Sequence, residues 1–136
     1  MKKILFLAAV LLFPLMANGQ NLNTLDPDED IIPMQLVEEK PSFQGGDLNT
    51  FSKWVNEHIV YQEAFAEATG RVTLKFIVAK DGSVVNVKVL RGVDPHLDKE
   101  AVRVVSSSPK WEPGKQRGQA VNVEYTFSVI FRVRSS

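Results

Sequence analysis

A chain of 136 residues with 16 basic and 16 acidic side chains and no cysteine has room for one packed domain and its appendages, and none for a second activity. The missing cysteine excludes disulfide stapling, thiolate nucleophiles and thiolate metal ligands, while the balanced charge argues against nonspecific nucleic-acid binding. The charge is unevenly spread: from Gln20 to Gly70 ten acids face two bases, and from Arg71 onward twelve bases face six acids.

Lys2 and Lys3 precede an apolar run from Ile4 to Met16, closed by Ala17-Asn18-Gly19. A basic start, an apolar stretch and small residues at its end predict a signal peptide over 1–19, cleaved after Gly19. The run falls short of the roughly 20 residues a spanning helix needs. The expected location is therefore the periplasm; if the leader stays uncleaved, the alternative is the inner membrane with an N-terminal anchor. Residues 20–40 are polar and acidic, with Asp26-Pro27-Asp28-Glu29-Asp30 at their centre, and read as a short tether. Within it Leu36 and Val37 either add a short strand or cover the core.

The folded domain is expected over 41–136. Pro41-Ser42-Phe43-Gln44-Gly45-Gly46 is turn-rich, with Phe43 as a core plug. Asp47 is a good N-cap for an amphipathic helix whose stripe is Leu48, Phe51, Trp54, Val55, His58 and Ile59. A second helical piece over 63–68 ends at Gly70. Val72, Leu74, Phe76 and Val78 then lie on one face of a half-buried strand, with Arg71, Thr73 and Lys75 on the other. Asp81-Gly82 signals a hairpin, and 84–91 returns with Val85, Val87 and Val89 inward. Asp94-Pro95 caps and opens a helix with Leu97, Ala101, Val104 and Val105 buried, which stops before Pro109. After the turn Trp111-Glu112-Pro113-Gly114, every odd position from Val121 to Val133 is apolar or aromatic. That is one long strand with one wet face. The expected fold class is α+β: a small antiparallel β-sheet of about three strands, the last one long, with two helices packed on one face.

No catalytic constellation emerges. His58 and His96 are far apart and lack partners at metal-ligand spacing. Gly114-Lys115 lacks the leading glycine of a phosphate loop, and Ser106-Ser107-Ser108 ends a helix without a strained elbow around it. Glu38 and Glu39 are adjacent in extended chain and point opposite ways. The expectation is a non-enzyme with no catalytic residues, no metal and no cofactor.

A glycine before an alternating strand (Gly70 to Val78), the Asp81-Gly82 hairpin, Leu97-Asp98-Lys99-Glu100-Ala101 and Trp111-Glu112-Pro113-Gly114-Lys115 occur in that order. The ordered set resembles the TonB C-terminal domain. Pro41 to Asp47 and Arg91-Gly92-Val93-Asp94-Pro95 resemble the variant found among TonB-like proteins of the Bacteroidetes. Gln44 and Gln62 stand where that variant usually has proline, and Ser128 occupies a last-strand position where relatives often carry proline.

The resemblance implies a periplasmic peptide-binding module serving TonB-dependent transport. Its partner would be the TonB-box peptide of an outer-membrane transporter, added as a strand beside the last strand. Glu124, Thr126 and Ser128 would face outward, Val123, Tyr125 and Phe127 would hold the strand to the core, and Lys110, Lys115 and Arg117 would add charge attraction. With the leader kept as an anchor, inner-membrane motor proteins become partners and the chain an energy transducer; with it cleaved, the chain is a soluble adaptor or competitor. An unrelated ligand-binding protein on the same fold is the remaining alternative. An exposed edge would also let two copies pair as a homodimer.

Overall fold

The computed structural model describes residues 29–61 and 69–132. The elements run β1 (Ile31–Pro33), α1 (Leu48–His58), β2 (Gly70–Val78), β3 (Val84–Arg91), α2 (Pro95–Ser106), β4 (Gly114–Gln116) and β5 (Gln119–Phe131). The two helices and the long last strand are those the sequence predicts, and the class is α+β. The sheet is richer than expected. Its order is β1-β5-β2-β3, with β4 folded back on β5, and one of its pairings, β1 with β5, is parallel. The expected leader, residues 20–28 of the tether, the helical piece over 63–68 and Val133 lie outside the described residues.

Both helices start where their caps dictate. The Asp47 carboxylate accepts the Asn49 and Thr50 N–H groups at 2.9 and 3.4 Å, and Asp94 accepts those of His96 and Leu97 at 2.8 and 3.0 Å. Each satisfies donors that the first helical turn leaves without partners. Phe51 and Val55 of α1, and Leu97, Ala101, Val104 and Val105 of α2, are buried against the sheet. His58, placed on the α1 stripe by spacing, is exposed and stacks on Trp54 with ring centroids 4.2 Å apart.

β2 is the backbone of the sheet. Val72, Leu74, Phe76 and Val78 are all fully buried under the helices, and β2 runs antiparallel to β5 in unbroken register from Gly70↔Phe131 to Val78↔Val123. Phe51 lies at the centre of the core, its ring 4.9 Å from Trp111, 5.1 Å from Phe43, 5.2 Å from Phe127 and 5.6 Å from Phe76.

The inward face expected for β3 needs correction. Lys75 pairs with Lys88 and Ile77 with Val85, so Asn86 and Val87 together oppose Phe76. That is a β-bulge, and Asn86 takes the left-handed conformation at φ 52° that it requires. The extra residue inverts the facing of the strand. Val85 joins Ile77 and Ala79 in a small cluster separate from the main core, Val87 packs on the main core, and Val89 is 37% exposed.

Two motifs that are distant in sequence meet at one end of the sheet. The Trp111 N–H donates to the Gly82 carbonyl at 2.8 Å, and a Cβ on Gly82, whose φ is +89°, would lie 2.1 Å from the Trp111 carbonyl oxygen. Only glycine fits there. The Asp-Gly hairpin and the Trp-Glu-Pro-Gly turn thus form one contact.

Candidate peptide-binding edge

β5 carries the residues expected to bind a partner, and its two edges differ. In a strand, the N–H and C=O of successive residues point to opposite edges. The Glu124 carbonyl accepts the Met34 N–H at 3.0 Å, so the backbone groups of Glu124, Thr126, Ser128 and Ile130 face away from β2. At the far end the Arg132 N–H reaches the Tyr61 hydroxyl at 3.5 Å. Among the described residues no strand pairs with β5 on this edge beyond Glu124. Among the described residues, Thr126, Ser128 and Ile130 therefore form a short run of directed backbone groups with no strand paired to them.

Side chains follow the same alternation. Val123, Tyr125 and Phe127 are buried under the helices. Thr126 is exposed and Glu124 and Ser128 are half-buried on the opposite face. Glu124 faces Lys75 at 3.7 Å, and Ser128 shares a 3.0 Å hydroxyl contact with Thr73 of β2. The buried Tyr125 hydroxyl has its pKa pushed up to about 12, by burial first and by the Asp47 charge second. It stays protonated under ordinary conditions. Beside it a cleft of about 210 Å³ is lined by Met34, Tyr125, Pro41, Asp47, Leu48 and Asn49.

The three basic residues are dispersed. Lys110 lies 3.8 Å from Asp81 at the end of the β2–β3 hairpin. Lys115 and Arg117 belong to the β4–β5 hairpin, where Lys115 exchanges backbone hydrogen bonds with Glu39 and the Arg117 N–H donates to Glu38 at 2.7 Å. None adjoins the open run at Thr126 to Ile130 in sheet register.

Sequence reasoning missed what occupies the near end of the edge. β1 pairs with β5 as Ile31↔Asn122, Ile32↔Val123 and Pro33↔Glu124. Ile32 and Met34 pack on the core and Val37 is buried in it, whereas Leu36 is 70% exposed. The buried Asn122 side chain accepts the Lys80 N–H at 2.9 Å and donates to the Glu29 carboxylate at 3.2 Å. Lys80 closes the ring with a 2.7 Å ion pair to Glu29. Asn122 falls at an even, wet-face position, so periodicity gave no sign of its role. Among the described residues no group of three or more histidine or acidic side chains is arranged to hold a metal ion.

The family model for the Gram-negative bacterial TonB protein C-terminal region matches residues 61–133. Among solved structures, the solution structure of the Helicobacter pylori TonB C-terminal domain aligns at 17% identity with a TM-score of 0.50, covering 65% of this chain and 96% of that one. At that identity the likeness is one of fold. No curated protein matches the chain.

Proposed function

Because the chain belongs to the TonB C-terminal family, we propose that it binds the TonB-box peptide of outer-membrane transporters by strand addition along β5, in the periplasm, and so serves TonB-dependent transport. The observation that carries this reading is the open backbone run at Thr126, Ser128 and Ile130, next to a strand already seated on the same edge in parallel. Backbone hydrogen bonds supply affinity in such an addition, and alternate side chains supply selectivity.

The other edge of the sheet favours β5 by contrast. β3 is interrupted by register shifts at two places, and bulges of this kind guard an edge against added strands. β5 pairs with β2 without a shift over nine residues, so its outer groups are evenly spaced for a guest. A guest that continued the course of β1 past Met34 would lay its side chains beside the Tyr125 cleft.

Titration of ¹⁵N-labelled protein with a synthetic TonB-box peptide tests this. The Thr126, Ser128 and Ile130 amides are expected to shift and saturate with added peptide. Saturable shifts confined to β3, or none at millimolar peptide, would refute strand addition on β5.

A further inference from the structure

β1 fills the near end of the β5 edge along which the guest strand is proposed to pair. Its pairing is parallel, its half-buried Ile32 and Met34 side chains pack against the core, and its Glu29 carboxylate is held by both Lys80 and Asn122. Pro33 completes the occupation. Since the Met34 N–H points at β5, the nitrogen of the preceding residue points outward, and proline has no hydrogen there to offer. A further strand cannot pair well with β1 from outside, which is the usual means of closing an edge.

We propose that residues 29–34 are a built-in occupant of the peptide site, so that the chain gates its own β5 edge and a guest must displace this segment to pair along the whole of it. The proposal rests on the strand-addition reading above. The segment is well suited to leaving. It pairs over three residues only, Ile31 is 41% exposed, and the ion pair that fastens it involves a Lys80 side chain 52% exposed, where water and salt weaken the attraction. It is equally suited to returning. Val37 remains buried as a pivot, and a segment held by so short a leash competes at an effective concentration on the order of millimolar. A guest sees its affinity reduced by the fraction of time the edge is free.

The chain has no cysteine, so one disulfide can lock the gate. Pro33 and Glu124 face each other across β1 and β5, and P33C/E124C bridges them in the full chain. I32S is the released form. The probe is a fluorescein-labelled peptide of residues 29–35, Glu-Asp-Ile-Ile-Pro-Met-Gln, followed by anisotropy, with circular dichroism reporting that each variant is folded. If β1 holds the edge about nine-tenths of the time, I32S binds the probe roughly 10-fold more tightly than the parent. The oxidised P33C/E124C form binds at least about 10-fold more weakly than its own reduced form, and reduction restores binding. Should I32S be poorly folded, the oxidised and reduced forms of P33C/E124C decide the matter alone.

Equal binding of the probe to oxidised and reduced forms overturns the gate. A TonB-box peptide, titrated in parallel, separates the two levels of inference. If it binds all forms equally through Thr126 to Ile130, strand addition stands and the gate falls; if neither peptide binds any folded form, both fall.

Discussion

Replacing Glu100 tests how the two helices are fastened together. Glu100 is 4% exposed, and its carboxylate accepts the Val60 N–H at 2.7 Å and two Arg103 N–H groups at 2.8 and 2.7 Å. Arg103 also reaches the His58 carbonyl at 3.1 Å, so the end of α1 is tied to α2 through one charged pair. Burial pushes the Glu100 pKa up, but the Arg103 hydrogen bonds, the Val60 N–H and the Arg103 charge outweigh it and leave the value below its ordinary 4.5. Arg103 moves the opposite way, as its partner should: the hydrogen bonds it donates to Glu100 raise its pKa. Hydrogen bonds to charged groups contribute about 1.5–3 kcal/mol each. The Arg103 side chain is 47% exposed, however, and hydration recovers part of its loss. E100A should therefore cost about 2–3 kcal/mol in all, and E100Q, which keeps an acceptor for Val60, about 1–1.5 kcal/mol. Because the folded pKa is depressed, this stability is fully present above the unfolded value near 4.5 and is lost as pH falls through the lower folded value. Urea denaturation followed by tryptophan fluorescence should give a gap between parent and E100Q that is constant from about pH 8 to pH 5.5 and narrows below about pH 4.5. A gap under about 0.5 kcal/mol at pH 7, or one that widens on acidification, would refute the reasoning.

The remaining expectations bear on core, turn and leader. F51A empties the centre of the aromatic cluster and should cost about 3–5 kcal/mol, a large share of the roughly 5–15 kcal/mol that holds a domain folded; a loss under about 1 kcal/mol by chemical denaturation would move the core's centre elsewhere. R117N should stabilise the β4–β5 hairpin by up to about 1 kcal/mol, because Arg117 and Gly118 sit at φ 54° and 78° and Asn-Gly suits such a two-residue turn. The same variant should leave peptide affinity unchanged at high salt, and any weakening confined to low salt would assign Arg117 a steering role. Mass spectrometry of the protein isolated from cells should place the mature N-terminus at Gln20; a chain beginning at Met1 would overturn the cleaved leader and restore the anchored reading.

What the sequence made legible follows from periodicity. β2 and β5 each keep one phase of alternation, so their core-facing residues could be read one by one, although Ile77 and Asn122 are buried on the opposite face; the aspartate caps announced both helices. β3 could not be read this way. Its valines also alternate, but one left-handed residue, Asn86, shifts the phase, and no local signal separates that asparagine from an ordinary wet-face position. β1 was hidden for a different reason. Three residues ending in proline within an acidic stretch carry no period, and their strand forms where β5 offers an edge and Ile32 and Met34 can pack against the core. The candidate site was thus half legible: β5 could be read as a long strand, and β1 paired beside it could not. Charge reasoning placed Lys110, Lys115 and Arg117 beside the peptide, whereas Lys80, a residue of the hairpin end, makes the ion pair to the seated strand.

Ser128 separates the fold from the binding proposed for it. Its backbone nitrogen faces the open edge and contributes nothing to the pairing with β2, a geometry that also explains its close side-chain contact with Thr73, since facing residues that exchange no backbone hydrogen bonds lie closest. S128P removes one donor from the open edge and no bond from the sheet interior. Edge positions of this kind are where strands tolerate proline. The expected stability change is therefore small, about 1 kcal/mol or less for the lost hydroxyl contact and the altered φ. One backbone hydrogen bond to a guest is worth about 0.5–1.5 kcal/mol, so peptide affinity should fall by roughly 2- to 12-fold. S128A supplies the control, because it removes the same hydroxyl and keeps the donor. Equal peptide affinity for S128P and S128A would mean that the guest does not pair with β5 at Ser128. Unfolding by S128P alone would mean that the Ser128 nitrogen faces β2 and that the assignment of edges is inverted.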